Sequence, residues 1–277
     1  MPLKSGLLCL LALLAPGAFA ATAPPAVECD LATGATGSCE LSGGPSPRSG
    51  GSGSVSLSWL GRHALAPSGW YWCGGLEADN YLFPGGAPGL DRLQDYAALL
   101  SIDYFRDGEE VGELAVHPGL YFEHQATSQA WDMPVDLTAG VPIAGPVNGV
   151  VGFSNGRFYH HALPIFGLIW TVNSRVRVEL AYPEPALVLD LGQSSELRLG
   201  GEIVGGGFLS DPKPVRTVVE YDSYRVGAQW TRTWKSGIKL ALVAGVEAER
   251  SFDFFRQGRR LHGSGAGYLE LNVTYAR

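Results

Sequence analysis

The residues best suited to chemistry are histidines: the doublet His160-His161 beside 154-SNGRFY-159, and His117 and His124 on a strand-like stretch. A histidine acts as a base or a metal ligand only with a partner in reach, and acyl transfer needs a serine, a base and an orienting acid together. No G-x-S-x-G occurs, and 263-GSG-265 lacks both the spacing and a following helix. Adjacent residues of a strand point to opposite faces, so the doublet is a poor chelate, and no H-x-H pair or acidic partner accompanies it. A solvated or interfacial role is the expectation. The glycine clusters 49-SGGSGS-54 and 205-GGG-207 have no strand-to-helix context that would cradle a phosphate. In strands, glycine more often marks a bulge, a bend or a close backbone approach. The reading is therefore non-catalytic, with no metal and no cofactor.

The positioning elements must come from the remaining texture. Lys4, the apolar run 7-LLCLLALLAP-16 and Ala18-Phe19-Ala20 have the form of a cleavable secretory signal over residues 1–20. No later stretch reaches the ~18 uncharged apolar residues of a membrane helix. Residues 21–53 end in 43-GGPSPRSGGSG-53 and read as a Gly/Pro/Ser-rich tail too poor in apolar surface to fold alone. Cys29 and Cys39 bracket 30-DLATGATGS-38, and the oxidising compartment favours a disulfide between them, leaving Cys73 odd. The net charge of −7 gives no reason to expect nucleic acid.

From residue 54 to 277 short alternating segments succeed one another, which is an all-β pattern. In 221-YDSYRVGAQWTRTW-234, Tyr224, Val226, Ala228, Trp230 and Trp234 point one way, and Arg225, Gly227, Gln229, Thr231 and Thr233 the other. The same division runs through 175-RVRVELAY-182, 186-ALVLDL-191, 195-SELRLGGEIVGGGF-208, 238-IKLALVAGVEAER-250 and 268-YLELNVTYAR-277. Less regular candidates are 54–60, 96–105, 111–124, 134–141, 146–153 and 162–172, which brings the expected strands to twelve, with ten or fourteen also compatible.

A soluble fold would solvate the polar face with many Lys and Glu; here Arg and Glu mix with Gly, Thr, Ser, Gln and Asn, as in the lumen of a membrane barrel. Aromatics gather near segment ends at Tyr182, Tyr224, Trp230, Trp234, Tyr268 and Tyr275, as in an interfacial girdle. Several runs reach the about 9–11 residues that a tilted strand needs to span. Unpaired edges in hydrocarbon are costly, so the sheet must close into an up-and-down antiparallel transmembrane β-barrel. Placing the short turns 106–110, 142–145, 173–174, 192–194 and 235–237 at one end puts 61–95, 125–133, 154–161, 183–185, 209–217 and 251–267 at the other.

The blocks 163-LPIFGLIW-170, 182-YPEPALVLDLGQSSELRLGGEIVGGGF-208 and 219-VEYDSYRVGAQW-230 resemble a family of bacterial outer-membrane β-barrel proteins of unknown function. The resemblance implies a barrel in the outer membrane of a Gram-negative-type cell, and it brings no substrate and no catalytic residues.

Two features carry the functional expectation. Arg175, Arg177, Glu179, Glu196, Arg198, Glu202, Arg225, Gln229, Lys239, Glu247 and Glu249 are expected to line the lumen, either cross-paired into a brace or bordering a narrow path for small polar solutes. Trp70, Tyr71 and Trp72, in 70-WYWCGGLEADNYLFPGG-86, are candidates for an outer-loop lid or for a rim of the girdle. Outer-membrane lipid is the expected partner. The competing readings are an exported, soluble all-β ligand-binding protein of the periplasm and a barrel enzyme acting on lipid.

Overall fold

The computed structural model describes residues 35–44, 52–66, 69–87, 90–106, 109–159, 161–211, 217–263 and 266–276. The expected signal segment, Cys29 and His160 lie outside these, so the Cys29–Cys39 pairing does too. Among the described residues seventeen strands form one sheet. They are β1 (Ala35–Gly44), β2 (Ser52–Ala66), β3 (Trp70–Ala87), β4 (Leu90–Arg106), β5 (Glu109–Val116), β6 (Gly119–Phe122), β7 (Trp131–Asp132), β8 (Val135–Ala144) and β9 (Val147–Asn155). Then come β10 (Leu163–Asn173), β11 (Val176–Tyr182), β12 (Ala186–Gly192), β13 (Ser195–Leu209), β14 (Val218–Thr233), β15 (Ile238–Phe254), β16 (Arg259–Gly263) and β17 (Ala266–Ala276).

The antiparallel ladder runs β1–β2–β3–β4–β5–β8 through β9 to β15 in chain order, then to β17 and back to β1. It visits fourteen strands before it closes. Closure leaves no sheet edge to be exposed to hydrocarbon. β6 and β7 prolong β5 and β8 beyond a break at His117-Pro118 and Met133-Pro134, where proline cannot donate to a ladder.

The faces divide as the alternation predicts. Leu269, Leu180 and Val226 are 69, 64 and 61% exposed, whereas Arg250, Glu247 and Glu179 are 0, 2 and 2% exposed. A soluble protein inverts this arrangement; exposed Trp59, Leu76, Leu242, Val246 and Leu271 extend an outward apolar surface, as on a transmembrane barrel. Strands of 15 to 18 residues such as β3, β4, β13, β14 and β15 are longer than the hydrocarbon requires and project beyond it.

The structure corrects the expected strand set at two places. Residues 35–44, expected in the tail, form β1, which closes the barrel by pairing with β2 and β17. Its Gly- and Ser-rich sequence carries little alternation, so backbone pairing to two neighbours defines it. Residues 70–87, expected as an outer loop, form β3, an 18-residue strand. Trp70, Tyr71 and Trp72 therefore open a strand and are not in a long loop. Trp70 faces Tyr104 in the ladder, near the end of β4 that leads into β5, opposite the end expected for a lid. Gly69, immediately before β3, has φ +85, and its carbonyl accepts the Phe105 N–H at 2.8 Å.

Candidate functional site

The inner surface of β11–β15 and β17 is built from facing charges of opposite sign. Cross-strand register places Glu179 within reach of Arg177 and Arg198, whose guanidinium groups donate to its two oxygens at 2.7 and 2.6 Å. Higher on the wall Arg225 lies 3.5 Å from Glu270 and 3.7 Å from Glu202, with its guanidinium over the Tyr268 ring. Above them, Arg250 donates to Glu247 at 3.1 Å, and Glu247 also accepts the Ser223 hydroxyl. Gln229 donates to Thr231 at 3.0 Å. Enclosed charges of this kind persist only when paired and hydrogen-bonded, so the wall is a ladder of ion pairs.

Most of the expected lumen set occupies this wall. Glu196 and Lys239, both partly buried, sit opposite Thr231 and Thr274 respectively. Two expected members do not. Arg175 is exposed in the 174–175 turn, where its N–H is capped by Asn173 at 2.8 Å. Glu249 is exposed because Ala248 is an extra residue in β15: Tyr224 opposes Glu249 while Arg225 opposes Glu247. A bulge of one residue reverses the facing of the strand beyond it, and Glu249 meets His262 on the outside at 2.8 Å. Tyr268, expected in the girdle, turns inward beneath Arg225.

The opposite arc, β2–β8, contributes a second polar group that the alternation did not identify. His117 stands at the break between β5 and β6, with Nδ1 2.6 Å from Glu77 and Nε2 2.9 Å from Asp136. With both nitrogens donating, the ring is cationic and keeps no lone pair for a proton or a metal. Asp136 also accepts from Ser154, its ladder partner on β9. Asp79 and Asp95 face each other across β3 and β4. Nearer the short-turn end, the buried Asp103 holds Ser101 at 2.6 Å and Arg62 at 3.5 Å. The wide alternation of β3 was the available signal for Glu77 and Asp79; its Gly74-Gly75 pair and Pro84 obscured it.

At the end bearing the long connections the lumen is apolar. Phe83, Tyr121, Phe122, Phe158, Phe208, Tyr221 and Phe252 form one buried cluster with Leu90, Leu93 and Leu209. Phe83 stands 4.9 Å, centroid to centroid, from both Tyr221 and Phe252, and Tyr81 is 5.5 Å from Tyr221. Phe158 enters from the connection after β9 because the buried Asp132 carboxylate accepts the N–H groups of Met133, Arg157 and Phe158 at 2.7, 2.9 and 3.1 Å. Gly207 admits it: a Cβ there would collide with the Phe158 backbone. Close backbone approach, one of the roles expected for glycine in a strand, is thus the role of this residue.

Just above the cluster Asp91, Glu123, His124 and Asp211 converge. His124 Nε2 lies 2.6 Å from Asp91, and Nδ1 lies 3.3 Å from Asp211 and 3.7 Å from Glu123. Burial holds the Glu123 carboxyl above its ordinary range, and the Asp211 N–H that it accepts at 2.8 Å pulls it partly back. His161 is exposed between β9 and β10.

No family model and no curated protein matches the chain. Solved structures of similar form include a mutant of the Rhodopseudomonas blastica porin, at 8% identity and TM-score 0.31, covering 88% of this chain and 99% of that one. CdiB from Acinetobacter baumannii aligns at 10% identity and TM-score 0.28, over 87% of this chain and 60% of its own. The outer membrane protease OmpT from Escherichia coli aligns at 13% identity and TM-score 0.22, over 88% and 94% of the two chains.

Proposed function

We propose that the chain is a non-catalytic outer-membrane β-barrel, with a narrow lumen braced by ion pairs and suited to small polar solutes. The observation that carries the reading is the orientation of charge: Arg225, Arg250, Glu179 and Glu247 are enclosed and paired while Val226, Leu180 and Leu269 face outward. Side chains fill the interiors of small barrels, and a lumen lined by paired charges favours small hydrated solutes over large ones. The soluble periplasmic reading loses support from the same exposed apolar surface. A lipid-modifying reading gains none from His117, whose two nitrogens are committed to carboxylates.

The test combines fractionation with electrophysiology. The mature chain is expected in the outer-membrane fraction, with heat-modifiable migration on a denaturing gel and rare, small steps in planar bilayers. Recovery as a detergent-free soluble protein, or a large steady conductance, would overturn the proposal.

A further inference from the structure

We infer that the long-connection end of the barrel is a gate, held shut by a clasp between the end of β6 and the residues just past β13. Around the circuit β6 and β13 stand on nearly opposite arcs, yet Phe122 and Leu209 make a parallel backbone bridge. The Glu123 N–H donates to the Leu209 carbonyl at 3.1 Å. Strands that distant can meet only if the barrel mouth is drawn together at this point. The two segments then exchange side-chain bonds: Asp211 N–H to the Glu123 carboxylate at 2.8 Å, and His124 N–H to the Asp211 carboxylate at 3.4 Å. The His124 ring spans from Asp211 to Asp91 at the head of β4, which ties a third element to the clasp.

Beneath the clasp the aromatic cluster brings rings from the same two arcs into contact, Phe83 and Tyr81 of β3 against Tyr221 of β14, Phe252 of β15 and Phe208 of β13. The two layers differ in kind. The aromatic contacts are non-directional and survive small displacements, whereas the clasp depends on a few charge-assisted bonds that run from the buried Glu123 out to Asp91, 70% exposed. Opening the mouth therefore breaks the clasp first and then parts the apolar contacts beneath it, in which Phe122 and Leu209 themselves take part. β6 is a four-residue strand set off from β5 by His117-Pro118 and laddered to β4 over Gly119–Phe122. Opening would part the end of β6 from the end of β13 and uncover the ion-paired wall around Ser223, Glu247 and Arg250.

The inference rests on the proposed conduit only in what passes once the gate is open, so two readouts separate them. The full mature chain with Ser223→Cys is placed in lipid nanodiscs and treated with a bulky, charged maleimide. Labelling is counted over that of the chain retaining Ser223. Adding His124→Gln with Asp211→Asn should raise the labelling rate at least about tenfold, the weight of one charge-assisted hydrogen bond in a two-state opening. Asp91→Asn, which alters only an exposed side chain, is the second variant and should give a smaller rise in the same direction. Equal rates in the closed form and in folded Asp91→Asn and clasp variants, judged by heat-modifiable migration, would overturn the gate. Faster labelling without any gain in bilayer conductance would leave the gate standing and overturn the solute conduit.

Discussion

The two arcs of the barrel solve the same problem differently. Along β11–β15 and β17 each buried carboxylate of the ladder meets an arginine from the same wall: Glu179 with Arg177 and Arg198, Glu247 with Arg250, and Glu270 with Arg225. Along β2–β8, Glu77, Asp79, Asp95, Asp103 and Asp136 outnumber their cationic neighbours Arg62 and His117. That arc is also interrupted by the prolines at 118 and 134. Arginine pairing stiffens the first arc; the second is acidic and contains the segment that reaches across the mouth. The difference is one of charge balance: neutral pairs along one half of the sheet and an acidic excess along the other.

The largest effect should come from breaking the stiff arc. Glu247→Gln leaves Arg250, which is wholly buried, without its carboxylate. Removing one member of a buried pair costs about 3–5 kcal/mol. A lowered urea midpoint for folding into vesicles would register it, and an unchanged midpoint would mean that the wall is wetter than its burial indicates.

Next in size is the lipid face. Val226→Arg, at a site 61% exposed between strands of the stiff arc, should cost about 2–4 kcal/mol near mid-membrane. Gln229→Arg, three residues on and facing inward, should be mild. Equal tolerance of the two in the same folding assay would count against the assignment of faces.

On the acidic arc, Asp132→Asn should loosen the connection that delivers Phe158, since the carboxylate accepts three N–H groups. Weakening a buried charged acceptor is worth about 1–3 kcal/mol. Faster proteolysis between β9 and β10, with the rest of the barrel intact, is the expected signature. Loss of the whole barrel would show that the arc is not independent.

Sequence pattern reveals the stiff arc far better than the acidic one, and the reason is physical. A strand with lipid on one face and paired charge on the other alternates strictly, so 186-ALVLDL-191 and 195-SELRLGGEIVGGGF-208 correspond to β12 and β13 within a residue or so. β1 carries glycine and serine, and β3 glycine, where the alternation should appear, and what defines them is backbone pairing to neighbours that local pattern does not identify. Twelve strands are legible for that reason, and among the described residues β1 and β3 join them in the circuit. The candidate site divides the same way. Glu179, Arg198 and Arg225 are visible as polar beats in regular strands, whereas His117 acquires its partners from β3 and β8, which are adjacent only in the fold. Trp70, Tyr71 and Trp72 are misplaced by the pattern because a missing strand reverses the end at which everything before it lies.

The smallest effect tests the bulge in β15, where the stiff arc departs from its own rule. If Ala248 is the extra residue, Glu249 is an outside group whose partner is the exposed His262, with side chains 52 and 54% accessible. An exposed pair contributes at most about 1 kcal/mol, so Glu249→Gln should hardly move the folding midpoint and should leave labelling at residue 223 unchanged. Glu247→Gln, two residues away, should do the opposite on the first measure. In an unbroken alternation the two glutamates would share a face and respond alike, so a comparable loss from both would place Glu249 in the lumen and remove the bulge. The contrast between these neighbours is thus a direct reading of where the inward face of β15 ends and the projecting end of the strand begins.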